Sequence, residues 1–204
     1  MALSAGEARA AAAQASDAGV IACSCEDGEA FAVIFDRHAA AIHRYLARRG
    51  GAQLADDLTG QTFLAAFDQR RRFDPGQPSA LPWLYGIATR LLRRHRRNEA
   101  RQYRAFARTG VDPAEGNHAD VVAARVTAQA ATRRLAGVLA RLPAAQRDVL
   151  LLAAWQHLSY EEISQALGIP AGTVGSRLHR ARTAVRAAFG GIDPTTDPEE
   201  SSRG

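Results

Sequence analysis

The chain has 204 residues, a length that fits one ordinary domain or two small ones. Its formal net charge is +5 and its sequence pI is about 10, and every basic residue is arginine, which suits a polyanionic partner without identifying one. No apolar run approaches the length of a membrane span, and no secretory signal is present. The composition therefore predicts a cytoplasmic protein with no membrane contact.

The first 27 residues carry little pattern. We expect residues 1–27 to form a mobile N-terminal tail, which contains Cys23 and Cys25. Two cysteines are too few for a structural zinc site, which normally takes four ligands, and such close neighbours would form a strained disulfide. A metal role would require ligands from another chain, so we expect two reduced thiols without a function. The sequence accordingly predicts no metal and no cofactor.

The next segment, from Glu29 to about Ala105, predicts three or four helical segments. Apolar residues recur with helical spacing over 31–45, and Gly50-Gly51 ends this first helix. A second helix is predicted over 54–67. Two prolines and a glycine make 73–79 a loop, after which a third helix begins near Leu81.

The end of this third helix is strongly basic. Only Glu99 offsets a run of eight arginines: Arg90, Arg93, Arg94, Arg96, Arg97, Arg101, Arg104 and Arg108. Like charges on one or two helices repel unless an anion compensates them, and phosphate is the natural partner of guanidinium groups. Trp83, Tyr85 and Tyr103 could stack on unpaired bases, although packing in the core is the more common role of a lone tryptophan.

A linker and a second helical block follow. Residues 109–120 are rich in turn formers and lack an apolar period, which predicts a linker. The block 121–189 is helical in pattern, and the acidic tail 190–204 is too short for a further domain and is expected to be disordered. The sequence therefore predicts an all-α chain with two small helical domains joined by a flexible linker.

The second block contains a predicted helix–turn–helix at 159–189. Ser159 and Glu162 fit a capping box, and Gly168-Ile169-Pro170 ends the first helix. In the second helix one apolar stripe comprises Val174, Leu178, Ala181 and Val185. Projection at about 100° per residue places opposite it Gly172, Ser176, His179, Arg180 and Thr183. A helix that lies in the DNA major groove requires this arrangement, whereas a helical hairpin with a solvated basic face is the alternative.

Three segments together resemble a bacterial extracytoplasmic-function sigma factor. They are DDLTGQTFLAAF, ALPWLYGIATRLLRRHRRN and LPAAQRDVLLLAAWQHLSYEEISQALGIPAGTVGSRLHRAR, in the order and spacing of that family. These small relatives of sigma-70 keep only the second and fourth sigma domains, and the resemblance covers about residues 29–189. It implies a region 2 domain at 28–108 and a region 4 domain at 121–189. The C-terminal block alone would fit LuxR-type output domains almost as well.

The resemblance implies a DNA-binding protein without chemistry of its own, which binds core RNA polymerase and directs transcription initiation at promoters. Docking on the clamp coiled coil of the largest polymerase subunit is implied for Asp57, Leu58, Gln61, Thr62 and Phe63. An anti-sigma protein that holds the factor inactive is a further implied partner. The family often has Gln-Glu where this chain has Gly60-Gln61, and a glycine inside a helix costs about 1 kcal/mol.

Two contacts with promoter DNA are implied as well. The melted minus-ten element would meet loop 73–80 together with Trp83, Tyr85, Arg90, Arg93, Arg94 and Arg97. The second helix of the helix–turn–helix would read the duplex minus-thirty-five element. Its candidates for base edges are Ser176, His179 and Arg180, and its candidates for phosphates are Thr173, Arg177 and Arg182.

Two other functional classes compete with this hypothesis. A stand-alone helix–turn–helix transcription regulator would use residues 159–187 but would leave the block 54–97 without a role. An enzyme would need catalytic side chains at motif spacing. The chain has six histidines but no H-E-x-x-H, P-loop, G-x-S-x-G or four-ligand metal pattern, so the sequence predicts no enzyme.

Overall fold

The fold is known from a computed structural model that describes residues 15–109 and 122–190. These two ranges contain α-helices and short 3₁₀ turns and no strand, which confirms the all-α prediction. The helices are α1 (Asp17–Ser24), α2 (Ala32–Gly50), α3 (Ala52–Gln69), α4 (Leu81–Leu92), α5 (Arg96–Thr109), α6 (Val122–Arg141), α7 (Ala144–Gln156), α8 (Tyr160–Leu167) and α9 (Ala171–Ala188).

Helix α1 differs from the mobile tail that we expected over 1–27. Ser16 caps the helix by accepting a hydrogen bond from the Gly19 amide at 3.2 Å, and Val20 and Ile21 are buried against the helices that follow. Two adjacent apolar residues among alanines make no periodic pattern, so the sequence does not predict a helix here. Their burial follows only from the packing of α1 against α2. The first fourteen residues lie outside the described ranges.

Helices α2, α3 and α4 form the centre of the N-terminal half. Gly51 has a φ of 90°, a left-handed conformation that glycine adopts without strain and that lets the chain turn directly from α2 into α3. Helix α3 packs on both α2 and α4, with Leu46, Leu58 and Leu84 fully buried between them. The predicted loop separates α3 from α4, as its prolines require.

The C-terminal half contains the predicted helix–turn–helix. Ser159 Oγ accepts from the Glu162 amide at 3.2 Å, and a Glu162 carboxylate oxygen accepts from the Ser159 amide at 2.8 Å, so the capping box is complete. Helix α8 ends at Gly168, whose φ of 64° is left-handed. Helices α7 and α8 pack beneath α9, and Leu152 and Ile163 are fully buried there.

The two halves pack against each other. Helix α5 packs on α6, α4 packs on α8, and the Arg49 side chain of α2 reaches Asp148 of α7. The linker predicted at 109–120 begins at the last residue of α5, and its other residues lie outside the described ranges, as do residues 191–204 of the predicted tail.

Candidate nucleic-acid and polymerase interfaces

Helix α9 has one buried and one exposed face. Its apolar stripe is fully buried at Val174, Leu178, Ala181 and Val185. On the opposite face the exposed residues are Gly172, Ser176, His179, Arg180 and Thr183, as the helical projection predicts, whereas Thr173, Arg177 and Arg182 lie half-buried on the flanks. The left-handed Gly168 lets the chain turn from α8 toward α9, whose apolar stripe packs on α7 and α8, so the polar face is presented to solvent.

The side chains of the exposed face have donors and acceptors available for base edges. The Ser176 hydroxyl donates to the Thr173 carbonyl oxygen at 3.1 Å, which leaves its own lone pairs free to accept a hydrogen bond. The Thr183 hydroxyl donates to the His179 carbonyl at 2.9 Å in the same way. Arg180 projects five donors from the middle of this face, and a guanidinium can pair with two acceptors of one guanine.

The predicted minus-ten residues lie in different environments. Arg90 and Arg94 are exposed, and Trp83 is half-buried with its ring centroid 5.2 Å from that of Phe73 in the preceding loop. Tyr85 is only 2% exposed. Burial, with a smaller contribution from Tyr45, raises the pKa of Tyr85 to about 12. The side chain of Arg97 lies outside the described part of the structure.

Asp17 at the start of α1 holds the end of the loop that precedes α4. Its carboxylate accepts from the Ala80 amide at 2.8 Å, from Arg37 Nη1 at 2.7 Å and from His38 Nε2 at 2.7 Å. Ser79 Oγ also lies 3.4 Å from it. Burial opposes ionisation of this carboxyl, but the hydrogen bonds from His38, Ala80 and Arg37 outweigh it and hold the pKa of Asp17 well below its usual range. No motif in the sequence pointed to this residue.

The residues predicted to dock on polymerase divide between the two faces of α3. Asp57 and Gln61 are exposed, but Leu58, Thr62 and Phe63 are buried in the N-terminal core, where Thr62 donates to the Leu58 carbonyl. The reason is geometric, because residues 58, 62 and 63 fall on the side of the helix that faces α2 and α4.

Two large apolar side chains near Asp57 and Gln61 are exposed to solvent. Leu64 is 63% exposed and Phe35 of α2 is 45% exposed. The Phe35 ring packs against the buried Phe63 ring in a T-shaped arrangement at a centroid distance of 4.9 Å. Leu64 follows Gln61 by three residues and Asp57 by seven, so all three share one face of α3. The sequence signal for Leu64 was misleading, since its apolar run FLAAF reads as core.

A buried carboxylate joins the two halves of the chain. Asp148 of α7 is fully buried and forms an ion pair with Arg49 of α2, whose side chain is 1% exposed. The second oxygen of Asp148 accepts from Arg93 Nε at 3.0 Å, just after α4 ends. Arg49 also donates to the Tyr45 hydroxyl. Arg93, one of the arginines predicted to meet the minus-ten element, thus pairs with a carboxylate of the C-terminal half.

Other chemistry is sparse in the described residues. Within 15–109 and 122–190 no group of three or more His, Cys, Asp or Glu side chains could hold a metal ion. Cys23 and Cys25 are not joined in a disulfide. No helix in these ranges is long and apolar enough to cross a membrane.

Comparisons with known proteins agree with this geometry. The profile described as "Sigma-70 region 2" matches residues 34–102, and that described as "Sigma-70, region 4" matches residues 132–185. The ECF RNA polymerase sigma factor EcfG of Rhodopseudomonas palustris is 33% identical over 141 residues, which are 68% of this chain and 72% of that protein. The region 2 match accounts for the N-terminal block, which would have no role in a stand-alone helix–turn–helix regulator.

Solved structures with the same fold carry both domains. The structure of CnrH in complex with the cytosolic domain of CnrY is similar with a TM-score of 0.58 and 25% identity, over 85% of this chain and 97% of that one. The structure of sigma factor RpoE in complex with anti-sigma factor NepR from Bartonella quintana has a TM-score of 0.55 and 20% identity, over 78% and 96%. The chain therefore belongs to the extracytoplasmic-function sigma factors of the sigma-70 family, which bind core RNA polymerase and direct it to promoters for transcription initiation.

Proposed function

We propose that this sigma factor contacts promoter DNA and polymerase through three separate surfaces, one on each of α9, α4 and α3. The minus-thirty-five surface is the exposed face of α9. Base edges would be read by Ser176, His179 and Arg180, and phosphates would be held by Thr173, Arg177 and Arg182. The observation that carries this assignment is the fully buried stripe of α9, which leaves the polar face as the part of the helix that can enter a major groove.

The minus-ten surface would be formed by loop 73–80 and α4. Arg90 and Arg94 are exposed and suited to phosphates, and the half-buried Trp83 offers an aromatic face to an unpaired base. Tyr85 and Arg93 would contribute once they are released from Gln156 and Asp148. Asp17 supports this surface from behind, because it binds the Ala80 amide at the junction of loop and helix.

The polymerase surface would be the exposed edge of α3. Asp57, Gln61 and Leu64 lie on one face of this helix, and Phe35 of α2 extends the surface. Exposed apolar side chains rimmed by polar ones mark protein interaction sites, and the clamp coiled coil of the largest subunit is the partner that the family implies. Leu58, Thr62 and Phe63 would act by supporting this edge from the core.

Co-elution with bacterial core RNA polymerase in size-exclusion chromatography tests the polymerase surface. Asp57→Arg should abolish co-elution, because it reverses the charge in the proposed interface. Glu29→Arg is the matched control, since Glu29 is exposed in the same half and its neighbour Gly28 lies beside Phe67 at the opposite end of α3. Asp57→Arg that binds like the wild type would refute this surface. Duplex DNA binding without any core binding would instead favour a stand-alone regulator.

We also propose an anti-sigma partner, an action in the cytoplasm and no catalytic activity. The RpoE structure from Bartonella quintana contains an anti-sigma factor, and its fold is the fold of this chain. A sigma factor acts where polymerase and DNA are, which places it in the cytoplasm. Its role in initiation needs binding surfaces and no catalytic side chains. A pull-down from the native cell should recover polymerase and a second small protein. Recovery of polymerase without any such protein would count against the anti-sigma partner.

A further inference from the structure

Helix α1 is bonded to both ends of loop 73–80. At the start of α1, the buried Asp17 carboxylate accepts from the Ala80 amide at 2.8 Å, where the loop passes into α4. At the end of α1, the Ser24 carbonyl oxygen accepts from Arg70 Nε at 3.0 Å, in the short turn that leads into the loop. One helix of eight residues therefore connects the two ends of the loop that we assign to the minus-ten element.

The start of α4 depends on this connection. Its N-cap residue is Ala80, whose methyl group cannot accept a hydrogen bond, so the first amides of α4 need acceptors from elsewhere. Asp17 supplies the acceptor for the Ala80 amide, and Ser79 Oγ accepts from the Leu81 amide at 3.2 Å. Pro82, the next residue, has no amide hydrogen. The carboxylate also places negative charge at the positive end of α4, which stabilises this arrangement.

The other end of the loop is held by guanidinium groups. Arg70 Cζ lies 3.7 Å from the centroid of the Phe67 ring, and Arg70 donates to the Phe67 carbonyl near the end of α3 at 2.6 Å. The same side chain donates to the Ser24 carbonyl at the end of α1, and Arg71 Nη2 donates to the Cys25 carbonyl at 3.0 Å. The last carbonyl groups of a helix have no partner within it, and cations near them are favourable. The turn before the loop is thus fastened to two helices.

Between these fastened ends the loop is exposed. Asp74, Gly76 and Pro78 are open to solvent, and a hydrogen bond from the Gly76 amide to Asp74 Oδ1 at 2.9 Å forms a local turn. A local turn fixes the shape of the loop tip but not its position relative to α4, so that position has to come from the two ends. A site discriminates between ligands only when its groups are held within about 0.5 Å of the productive geometry. The fastening of the ends therefore bears on base choice.

We propose that α1 is a strap that fixes both ends of loop 73–80 and thereby sets which unpaired base the loop accepts. Asp17 and Arg70 are its positioning residues, because each holds the loop without having to touch DNA. The matched region 2 profile begins at residue 34, so α1 lies outside the part of the chain that this profile covers. The inference rests on the proposed role of loop 73–80 in the minus-ten surface.

Hydrogen exchange in the full chain tests the strap at its first end. Asp17→Ala should make the amides of residues 73–80 exchange about tenfold or more faster, because the Ala80 amide loses a charged acceptor. Asp27→Ala is the matched control. It removes a carboxylate from the same N-terminal segment, but that carboxylate accepts from the Glu29 amide at 3.1 Å, so loop exchange should stay at the wild-type rate.

The same measurement tests the second end. Arg70→Ala should also accelerate exchange over residues 73–80, whereas Arg72→Ala, an exposed arginine of the same turn, should not. Loop exchange at the wild-type rate in Asp17→Ala or in Arg70→Ala would overturn the strap. A rise of the same size throughout α2 and α3 would overturn it as well, since it would show a general loss of stability instead of a released loop.

Base selection by the complex with core RNA polymerase tests the effect on reading. The probe is a degenerate pool of single-stranded oligonucleotides, from which bound strands are recovered and sequenced. Wild type and Asp27→Ala should enrich the same short motif. Asp17→Ala and Arg70→Ala should lose about fivefold or more of the preference at one position of that motif, the lower end of what contact with one base contributes. Selection from a duplex pool, which reports on α9, should be the same for all four proteins.

The outcomes separate the strap from the surface it supports. If Asp17→Ala and Arg70→Ala enrich the wild-type motif unchanged, the strap has no part in base choice and the minus-ten surface stands. If the wild-type complex enriches no motif at all, the proposed minus-ten surface is refuted and the effect on base choice with it. The exchange rates of loop 73–80 would still show in that case whether α1 holds the loop.

Discussion

Helices α4 and α9 are the two proposed DNA-reading helices, and they differ in how much of their surface is buried in the free chain. In α9 a narrow apolar stripe is buried and the polar face is open to solvent. In α4 the buried residues occupy most of the circumference and leave one strip, with the half-buried Trp83 and the exposed Arg90, open to solvent. The buried residues are Pro82, Leu84, Tyr85, Gly86, Ile87, Ala88, Thr89 and Leu92. A helix that is apolar over most of its circumference has to be covered on more than one side, and here the C-terminal half provides the second cover.

The difference fits what each helix is proposed to read. A duplex presents hydrogen-bonding edges and phosphates, so its reader is polar and can remain in water. An unpaired base is bound largely by stacking, so its reader needs aromatic and apolar surface, which is unfavourable when left exposed. Packing α8 on α4 removes that surface from water in the free chain. The following predictions test this contrast.

The largest effect is expected at the buried ion pair. Asp148→Asn should lower the free energy of unfolding by up to about 3–5 kcal/mol, because Arg49 keeps a buried charge without its partner. Urea unfolding of the full chain measures the loss. Glu161→Gln, an exposed carboxylate on α8, is the control and should change stability by less than about 0.5 kcal/mol. Equal stability of the two variants would mean that Asp148 is not buried in solution.

Asp17 should make the support of α4 sensitive to acid. Because its pKa is lowered in the folded state, its contribution to stability is present above the ordinary aspartate pKa of about 4 and is lost as the pH falls below it. Asp17→Ala should cost about 1–3 kcal/mol at neutral pH, since buried donors lose their acceptor.

The measurement is urea unfolding at several pH values. Ser16→Ala is the control, because it removes the cap of α1 but keeps the carboxylate of Asp17. Wild type and Ser16→Ala should lose stability in parallel below about pH 4, whereas Asp17→Ala should lose less. Parallel acid curves for all three proteins would contradict the prediction.

Arg180 should decide sequence preference on the exposed helix. Arg180→Ala should reduce discrimination at one base pair by about 1–3 kcal/mol, because a bidentate contact with guanine is lost. Competition binding with duplexes selected from a random pool measures this preference. Arg177→Ala, on the half-buried flank, should instead weaken all duplexes alike and reduce the salt slope by about 1. Uniform weakening by Arg180→Ala would place that residue on phosphate.

The smallest effect is expected at the capping box of α8. Ser159→Ala should cost about 1 kcal/mol, since the Glu162 amide loses its acceptor. Glu162→Ala removes the reciprocal bond to the Ser159 amide, so the double variant should lose less than the sum of the two single variants. Thermal or urea unfolding measures all three. Strict additivity would mean that the two bonds do not form together.

Features that depend only on residues close together in the sequence could be predicted from it. The capping box joins residues three positions apart, the turn at Gly168 needs only one left-handed residue, and the stripe of α9 repeats every three or four residues. The order of the two domains was readable for the same reason, because each carries motifs that fold locally.

The polymerase surface shows where this reasoning stops. Leu58, Thr62 and Phe63 belong to the same motif as Asp57 and Gln61, and a motif does not say which of its members face the core. Leu64 lies in an apolar run that predicts burial, but its side chain is exposed. Helix α1 has no periodic apolar pattern, so the sequence did not predict it. Which face of a helix is buried depends on the position of the neighbouring helices.

The sequence alone specified two helical domains, their order and the exposed polar side of α9, because capping residues, turns and helical periodicity determine them locally. The cover on α4 came from the tertiary structure, since Arg49 and Asp148 are 99 positions apart and no local pattern couples them. Gly86 is likewise an ordinary helix-interior glycine until Ala166 is brought against it. Contacts of this kind depend on how whole helices pack, and the chain discloses them only when folded.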